Sequence, residues 1–120
     1  MNTTVKDIKS IVINGKTYEE RSRIIEQLGV LSEEVGQKSI FLIGSGDEEN
    51  ALASAIIGVD DKSCAVVYDR EKLLAALMEW NDWNETEAEE WLEYNTIRSL
   101  DYLSPHGEAP RIVNPIDSYL

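Results

Sequence analysis

Two closely spaced apolar runs set the strongest limit on how this chain can fold. Ala55-Ile56-Ile57-Gly58-Val59 and Cys64-Ala65-Val66-Val67-Tyr68 flank the polar stretch Asp60-Asp61-Lys62-Ser63. Rich in β-branched residues and joined by a short turn, they predict a β-hairpin. Asp69 follows at once and suits a helix N-cap. The helix it opens, Arg70 to Trp80, carries Leu73, Leu74, Leu77 and Met78 on one face.

The same reading extends outward in both directions. Ile11-Val12-Ile13, then Asn14-Gly15, then Lys16-Thr17-Tyr18 predicts a hairpin, because Asn and Gly both tolerate the positive φ of a type I′ turn. Its second arm is short, since Thr17 and Glu20 have capping-box spacing for a helix from Glu19 onward. Ile24, Ile25, Leu28 and Leu31 form the stripe of that helix. Gly29 is expected to end it or to break it before Ser32, with Gly36 closing the unit. Ser39-Ile40-Phe41-Leu42-Ile43 reads as a buried strand, stopped by Gly44-Ser45-Gly46. Asp47 then caps a short helical turn through Ala51 and Leu52.

After a turn at Asn81-Asp82-Trp83-Asn84, a second helix capped by Asn84 or Thr86 runs to about Leu100. It presents Ala88, Trp91, Leu92 and Asn95 on one face. Pro110-Arg111-Ile112-Val113 reads as an edge strand. The order β, α, β, β, β, α, α, β implies an α+β fold: a small antiparallel sheet with helices packed on one face, including a C-terminal helical hairpin. At 120 residues, with no internal repeat and no linker, residues 1–120 are expected to form a single domain.

Charge constrains function more than fold. Glu79, Asp82, Glu85, Glu87, Glu89, Glu90 and Glu93 fall in one stretch without a Lys or Arg, and Trp80, Trp83 and Trp91 are threaded through it. The whole chain has 11 basic and 23 acidic residues, a formal charge of −12. Direct binding to nucleic acid needs clustered bases, and here they are scattered. A basic groove on another protein would be attracted. The plainer alternative is a well-solvated face. Trp91 belongs to the apolar stripe. Trp80 and Trp83 flank the loop between helices, where each either seals the end of the helical pair or stands as an interface anchor. The candidate partner contacts are Glu79, Asp82, Trp83, Glu87, Glu90 and Glu93.

Nothing in the chain suggests a catalytic set, and no cofactor or metal is expected. Cys64 is the lone cysteine and sits in an apolar run, where a small buried hydrophobe is expected. The lone histidine, His106, lies in a loop-like Ser-Pro-His-Gly sequence. Gly44-Ser45-Gly46 lacks the third glycine and the lysine of phosphate loops, and Asp47, Glu48 and Glu49 would repel a phosphate. Asp60-Asp61 does not match an EF-hand loop. Asn95 falls on an apolar face, as a contact residue or as a tie to neighbouring backbone. No stretch approaches membrane-spanning length, so the expected location is the cytoplasm.

Several short segments carry a resemblance. They are Ala55 to Val59, Val66-Val67-Tyr68-Asp69 with Leu73, Leu74 and Leu77, then Glu87 to Asn95, and finally Gly107-Glu108-Ala109-Pro110-Arg111-Ile112-Val113. From about Asp47 to Val113 the chain resembles a family of small proteins encoded by phages, prophages and other mobile elements. The loop Ser99 to His106 departs from it, and Met1 to Gly46 has no counterpart. The resemblance implies a phage or prophage origin and supplies no catalytic residues.

The leading expectation is an acidic phage-derived protein in the cytoplasm of a bacterial host. It would bind and inhibit a basic, nucleic-acid-binding host protein such as a CRISPR effector, in the manner of an anti-CRISPR that imitates the charge of DNA. The alternative is a non-enzymatic scaffold or oligomerising protein, a homodimer for instance, whose acidity is only solvation. A small hydrolase or transferase ranks last, for want of a catalytic set.

Overall fold

The computed structural model describes residues 7–34, 42–44, 46–60, 65–97 and 110–114. A 3-10 turn, Ile8–Ser10, precedes helix α1, Tyr18–Glu34. Helix α2, Asp47–Leu52, runs into a second 3-10 turn, Ala53–Ala55. Strands β1, Ile56–Val59, and β2, Val66–Asp69, lead to helices α3, Arg70–Asn81, and α4, Glu85–Trp91. A π-helical segment, Leu92–Ile97, and strand β3, Arg111–Val113, follow. The class is α+β.

The sheet is mixed, where an antiparallel one was expected. Its order is β1-β2-β3; β1 runs antiparallel to β2, but β3 runs parallel to it, pairing Val67 with Arg111 and Tyr68 with Ile112. The reason is topological. Parallel pairing needs a long crossover, and the connection from β2 to β3, which contains two helices, is long enough to supply one. β3 is an edge strand, as expected.

Within β1 the register slips between Ile56 and Gly58, so Ile57 is the extra residue of a bulge and is 49% exposed. Val66 and Tyr68 are fully buried on β2, while Val67 between them is only half-buried. Asp69 ends the strand and caps α3, its carboxylate accepting from the Lys72 backbone N–H at 3.1 Å. Leu73, Leu74, Ala76 and Leu77 on α3 are buried in one core with Leu28, Leu52, Ala88 and Leu92.

The N-terminal hairpin shrinks to a single antiparallel bridge, Ile13 to Lys16, around Asn14 (φ 53) and Gly15 (φ 77). Its second arm is cut short because Thr17 is already occupied as the α1 cap. Thr17 Oγ1 accepts from the Glu20 N–H, and the Glu20 carboxylate accepts from the Thr17 N–H, both at 3.2 Å. α1 runs through Gly29 without a break. Gly29 faces solvent, where glycine costs about 1 kcal/mol relative to alanine, and Leu28 beside it is anchored in the core.

Leu42 and Ile43 are not in a strand, and Ser39 to Phe41 lie outside the described residues. Ile43 is nonetheless buried, its N–H donating to the Tyr68 hydroxyl at 3.0 Å. Gly44 has φ +93, and a Cβ there would sit 3.1 Å from the Glu49 backbone nitrogen. The loop therefore closes directly onto α2, with Gly46 at its N-cap rather than Asp47.

One buried cation joins the N-terminal arm to these helices. Arg21 on α1 is 0% exposed. Its Nη1 donates to the carbonyls of Ile11 (2.9 Å) and Lys16 (2.6 Å), its Nη2 to that of Ile8 (3.1 Å), and its Nε to Asn50 Oδ1 on α2 (2.9 Å). Asn50 in turn donates to Ser22 Oγ. Burial pushes the Arg21 pKa down, and the fields of Tyr18, Glu20 and Glu79 act against that. Arg21→Met, which removes all four bonds and leaves the Ile11 carbonyl and Asn50 Oδ1 without this donor, should lower unfolding free energy by about 3 kcal/mol, with Arg21→Lys losing less. A denaturant midpoint unchanged in the Met variant would refute this role.

Glu48 offers a second test. Burial pushes its carboxyl above the usual value, opposed by a hydrogen bond from the Asn81 side chain. A raised carboxyl pKa favours folding while protonated, and that contribution is lost as pH rises through the folded pKa. Glu48→Gln, which imitates the protonated form, should raise the melting temperature at neutral pH. It should leave it unchanged below about pH 4. A lower melting temperature for the variant at neutral pH is the contrary result.

Candidate functional site

The acidic stretch occupies the end of α3, the turn after it and α4. α3 ends in a left-handed residue, Asp82 (φ 58), whose N–H donates to the Met78 carbonyl. The Trp83 N–H reaches the same carbonyl at 3.0 Å. This six-to-one closure is a Schellman motif, which places an apolar residue just past the left-handed position so that it packs back on the helix. Trp83 is that residue. It is half-buried, and its ring lies 6.4 Å from that of Trp91 at a tilt of 46°. Trp80, Trp83 and Trp91 all pack against the core, which fits the sealing reading of the two loop tryptophans.

Asn84, not Thr86, caps α4. Its side chain accepts from the Glu87 N–H at 2.9 Å, and the Glu87 carboxylate accepts from the Asn84 N–H at 3.0 Å. The Asn-x-x-Glu spacing was present in the sequence, and it assigns Glu87 a structural duty that its charge alone hid. Ala88 and Leu92 turn inward, while Glu85, Glu87, Glu90 and Glu93 are exposed, as are Glu79 and Asp82.

All six candidate contacts thus lie on one contiguous part of the chain, in three roles. Asp82 and Trp83 terminate α3, Glu87 starts α4, and Glu79, Glu90 and Glu93 present carboxylates to solvent. Beyond α4 the backbone widens into the π-helical segment, where Tyr94 is 70% exposed. Sequence reasoning passed over Tyr94. It falls outside the stripe of Ala88, Trp91, Leu92 and Asn95, so the ordinary helical period already turns it away from the apolar face. α4 spans Glu85–Trp91 before this widening, and the expected continuation of the helical pair past Ile97 lies outside the described residues, as does the side chain of Asn95.

Elsewhere, an open pocket of about 400 Å³ is lined by Lys9, Thr17, Tyr18 and Glu19, with the Lys9 ammonium 5.9 Å from the Tyr18 ring centre. Asp60 is engaged by Arg111 at 3.0 Å, a pair that reaches from the end of β1 to β3. Among the described residues no three His, Cys, Asp or Glu side chains converge to hold a metal ion. None of their helices is long and apolar enough to cross a membrane. Cys64, Asp61 and His106 lie outside the described residues.

The double duty of Glu87 is measurable. Glu87→Ala should cost about 1 kcal/mol by opening the capping box, whereas Glu90→Gln should stay within about 0.5 kcal/mol of wild type. Equal stability of the two variants by chemical denaturation would remove the distinction.

Comparison with known protein families, with curated proteins and with solved structures found no match.

Proposed function

We propose that this chain is a non-enzymatic binding protein that presents the carboxylates of α3 and α4 to a basic, nucleic-acid-binding surface and blocks it. The observation that carries the reading is the exposed series Glu79, Asp82, Glu85, Glu87, Glu90 and Glu93, with no Lys or Arg from Glu79 to Glu93. Such a surface offers a nucleic-acid groove the charge it is built to receive, and association would be fast and salt-sensitive. A chain of charge −12 is a poor ligand for DNA or RNA itself. The resemblance to phage and prophage proteins points to a bacterial host protein as the target, a CRISPR effector or another nucleic-acid-binding protein. The activity is then anti-CRISPR-like, imitating DNA in the host cytoplasm.

A second reading rests on a different observation. Ile57 and Val113, on the two outer strands of the sheet, are exposed apolar residues. In that reading the chain is a scaffold that pairs with a second copy through the sheet, and the acidic face is only solvated.

The variant Glu90→Lys with Glu93→Lys separates the two while leaving both caps intact. In the first reading it should abolish capture of a nucleic-acid-binding protein from host lysate. Binding by the wild type should weaken steeply from low to moderate salt, mainly in association rate. A folded double variant that still captures the same protein with wild-type affinity would overturn the acidic-face reading. Ile57→Lys should disturb self-association only if the second reading holds.

A further inference from the structure

Asn14 and Gly15 form the turn of the N-terminal arm, both at positive φ, and nothing lies within 4 Å of where a Gly15 Cβ would stand. The Asn14 side chain is not a turn residue alone. Its Nδ2 donates to Ser54 Oγ in the 3-10 turn Ala53–Ala55 and to the Lys72 carbonyl on α3, both at 2.9 Å. The Ser54 hydroxyl accepts that bond and donates its own proton to the Ala51 carbonyl at 2.9 Å. One carboxamide therefore fastens the arm to two elements of the body, at the opposite end of the arm from the Arg21 bond to Ile8.

An Asn followed by Gly is also an internal electrophile. With no side chain on Gly15, its backbone nitrogen can approach Asn14 Cγ without hindrance. We propose that Asn14-Gly15 is a modification site, a latch whose spontaneous deamidation unfastens the tip of the N-terminal arm, while Arg21 keeps its base in place. In the step, the Gly15 nitrogen bonds to Asn14 Cγ and gives up its proton. The Cγ–Nδ2 bond breaks, and the nitrogen leaves as ammonia carrying that proton. Water then opens the cyclic imide at either carbonyl, leaving an aspartyl or isoaspartyl carboxylate. The net change is an amide and water converted to a carboxylic acid and ammonia, with no oxidant or cofactor.

The consequence follows from donor counting. The amide supplied two donated hydrogen bonds, and a carboxylate supplies none. Ser54 can turn its hydroxyl proton toward the new acid, but only by leaving the Ala51 carbonyl. The Lys72 carbonyl would face a negative oxygen. The modification also adds one negative charge to a chain already at −12. The fold restrains its own damage, because the two bonds hold the carboxamide until the arm opens.

The test uses the full chain at neutral pH, with peptide mass spectrometry reading the amide-to-acid conversion at Asn14 in buffer and in urea. Conversion in buffer should be measurable and about tenfold or more slower than in urea, as expected for a reaction gated by local opening. Equal rates would overturn the latch. No conversion in buffer while the urea sample converts fully would overturn the modification. Hydrogen exchange supplies the second readout. Asn14→Asp, and Asn14→Gly as a control that keeps the turn but lacks the amide, should speed exchange of the Ile13 and Lys16 amides about tenfold. Amides of β2 and α3 should be unaffected. Wild-type exchange in either variant would overturn the proposal.

Discussion

A guanidinium whose hydrogen bonds, among the described residues, all go to neutral oxygens holds the N-terminal arm of this protein to α1 and α2. Arg21 is enclosed, and every bond that it makes is to a neutral oxygen: three carbonyls of the arm and the amide oxygen of Asn50. Burying a charge is costly unless its donors are filled, and here three backbone carbonyls and one side-chain amide fill them; the carbonyls of Ile8 and Lys16 also accept from the Ile11 and Ile13 N–H groups. The 3-10 turn and the Asn-Gly turn are closed by only a few backbone bonds, and the planar fork of Arg21 ties their carbonyls together. Asn50 then couples the same group to Ser22 and α2, so the arm, α1 and α2 are positioned by one network.

Helix ends organise the acidic half of the molecule. Asp69, Asp82, Asn84 and Glu87 stop and start α3 and α4 through backbone bonds, and Trp83 packs where the Schellman closure puts it. Charge and architecture therefore overlap along this stretch, since Asp82 and Glu87 hold helix ends and are exposed as well.

The parts of the fold visible in the sequence were those set by short-range rules. The Val66 to Asp69 strand, the Asp69 cap, the Thr17-Glu20 box and the Asn-Gly turn depend on residues a few positions apart, and each took its expected form. The parts that were missed depend on distant residues. Nothing in the spacing of Arg21 sets it apart from the other scattered bases, because its partners at Ile8, Ile11 and Asn50 are chosen by tertiary packing. The direction of β3 is fixed by where the crossover returns the chain, and no property of Pro110 to Val113 encodes it. Ile57 reads as one more residue of an apolar run, and only the slip in register turns it out. The role of Glu87 was legible in its spacing from Asn84, and the exposure of Tyr94 in its place off the stripe of Ala88, Trp91 and Leu92.

The parallel pairing of β3 also orders events in the making of the protein. β1 and β2 can zip together as soon as their short turn is complete, and α3 can grow from Asp69 at once. β3 has to wait until the whole segment from Arg70 to Pro110 has been synthesised and has doubled back. Contacts of such separation form late, since the entropy of closing the loop is lost before any bond repays it. During that interval the hydrogen-bonding edge of β2 stands open, next to its two fully buried side chains. A nascent chain at this stage is a template for any strand that drifts past. The three residues of β3 thus serve as the stopper on a half-built sheet, and crowded synthesis is the circumstance in which their late arrival matters most.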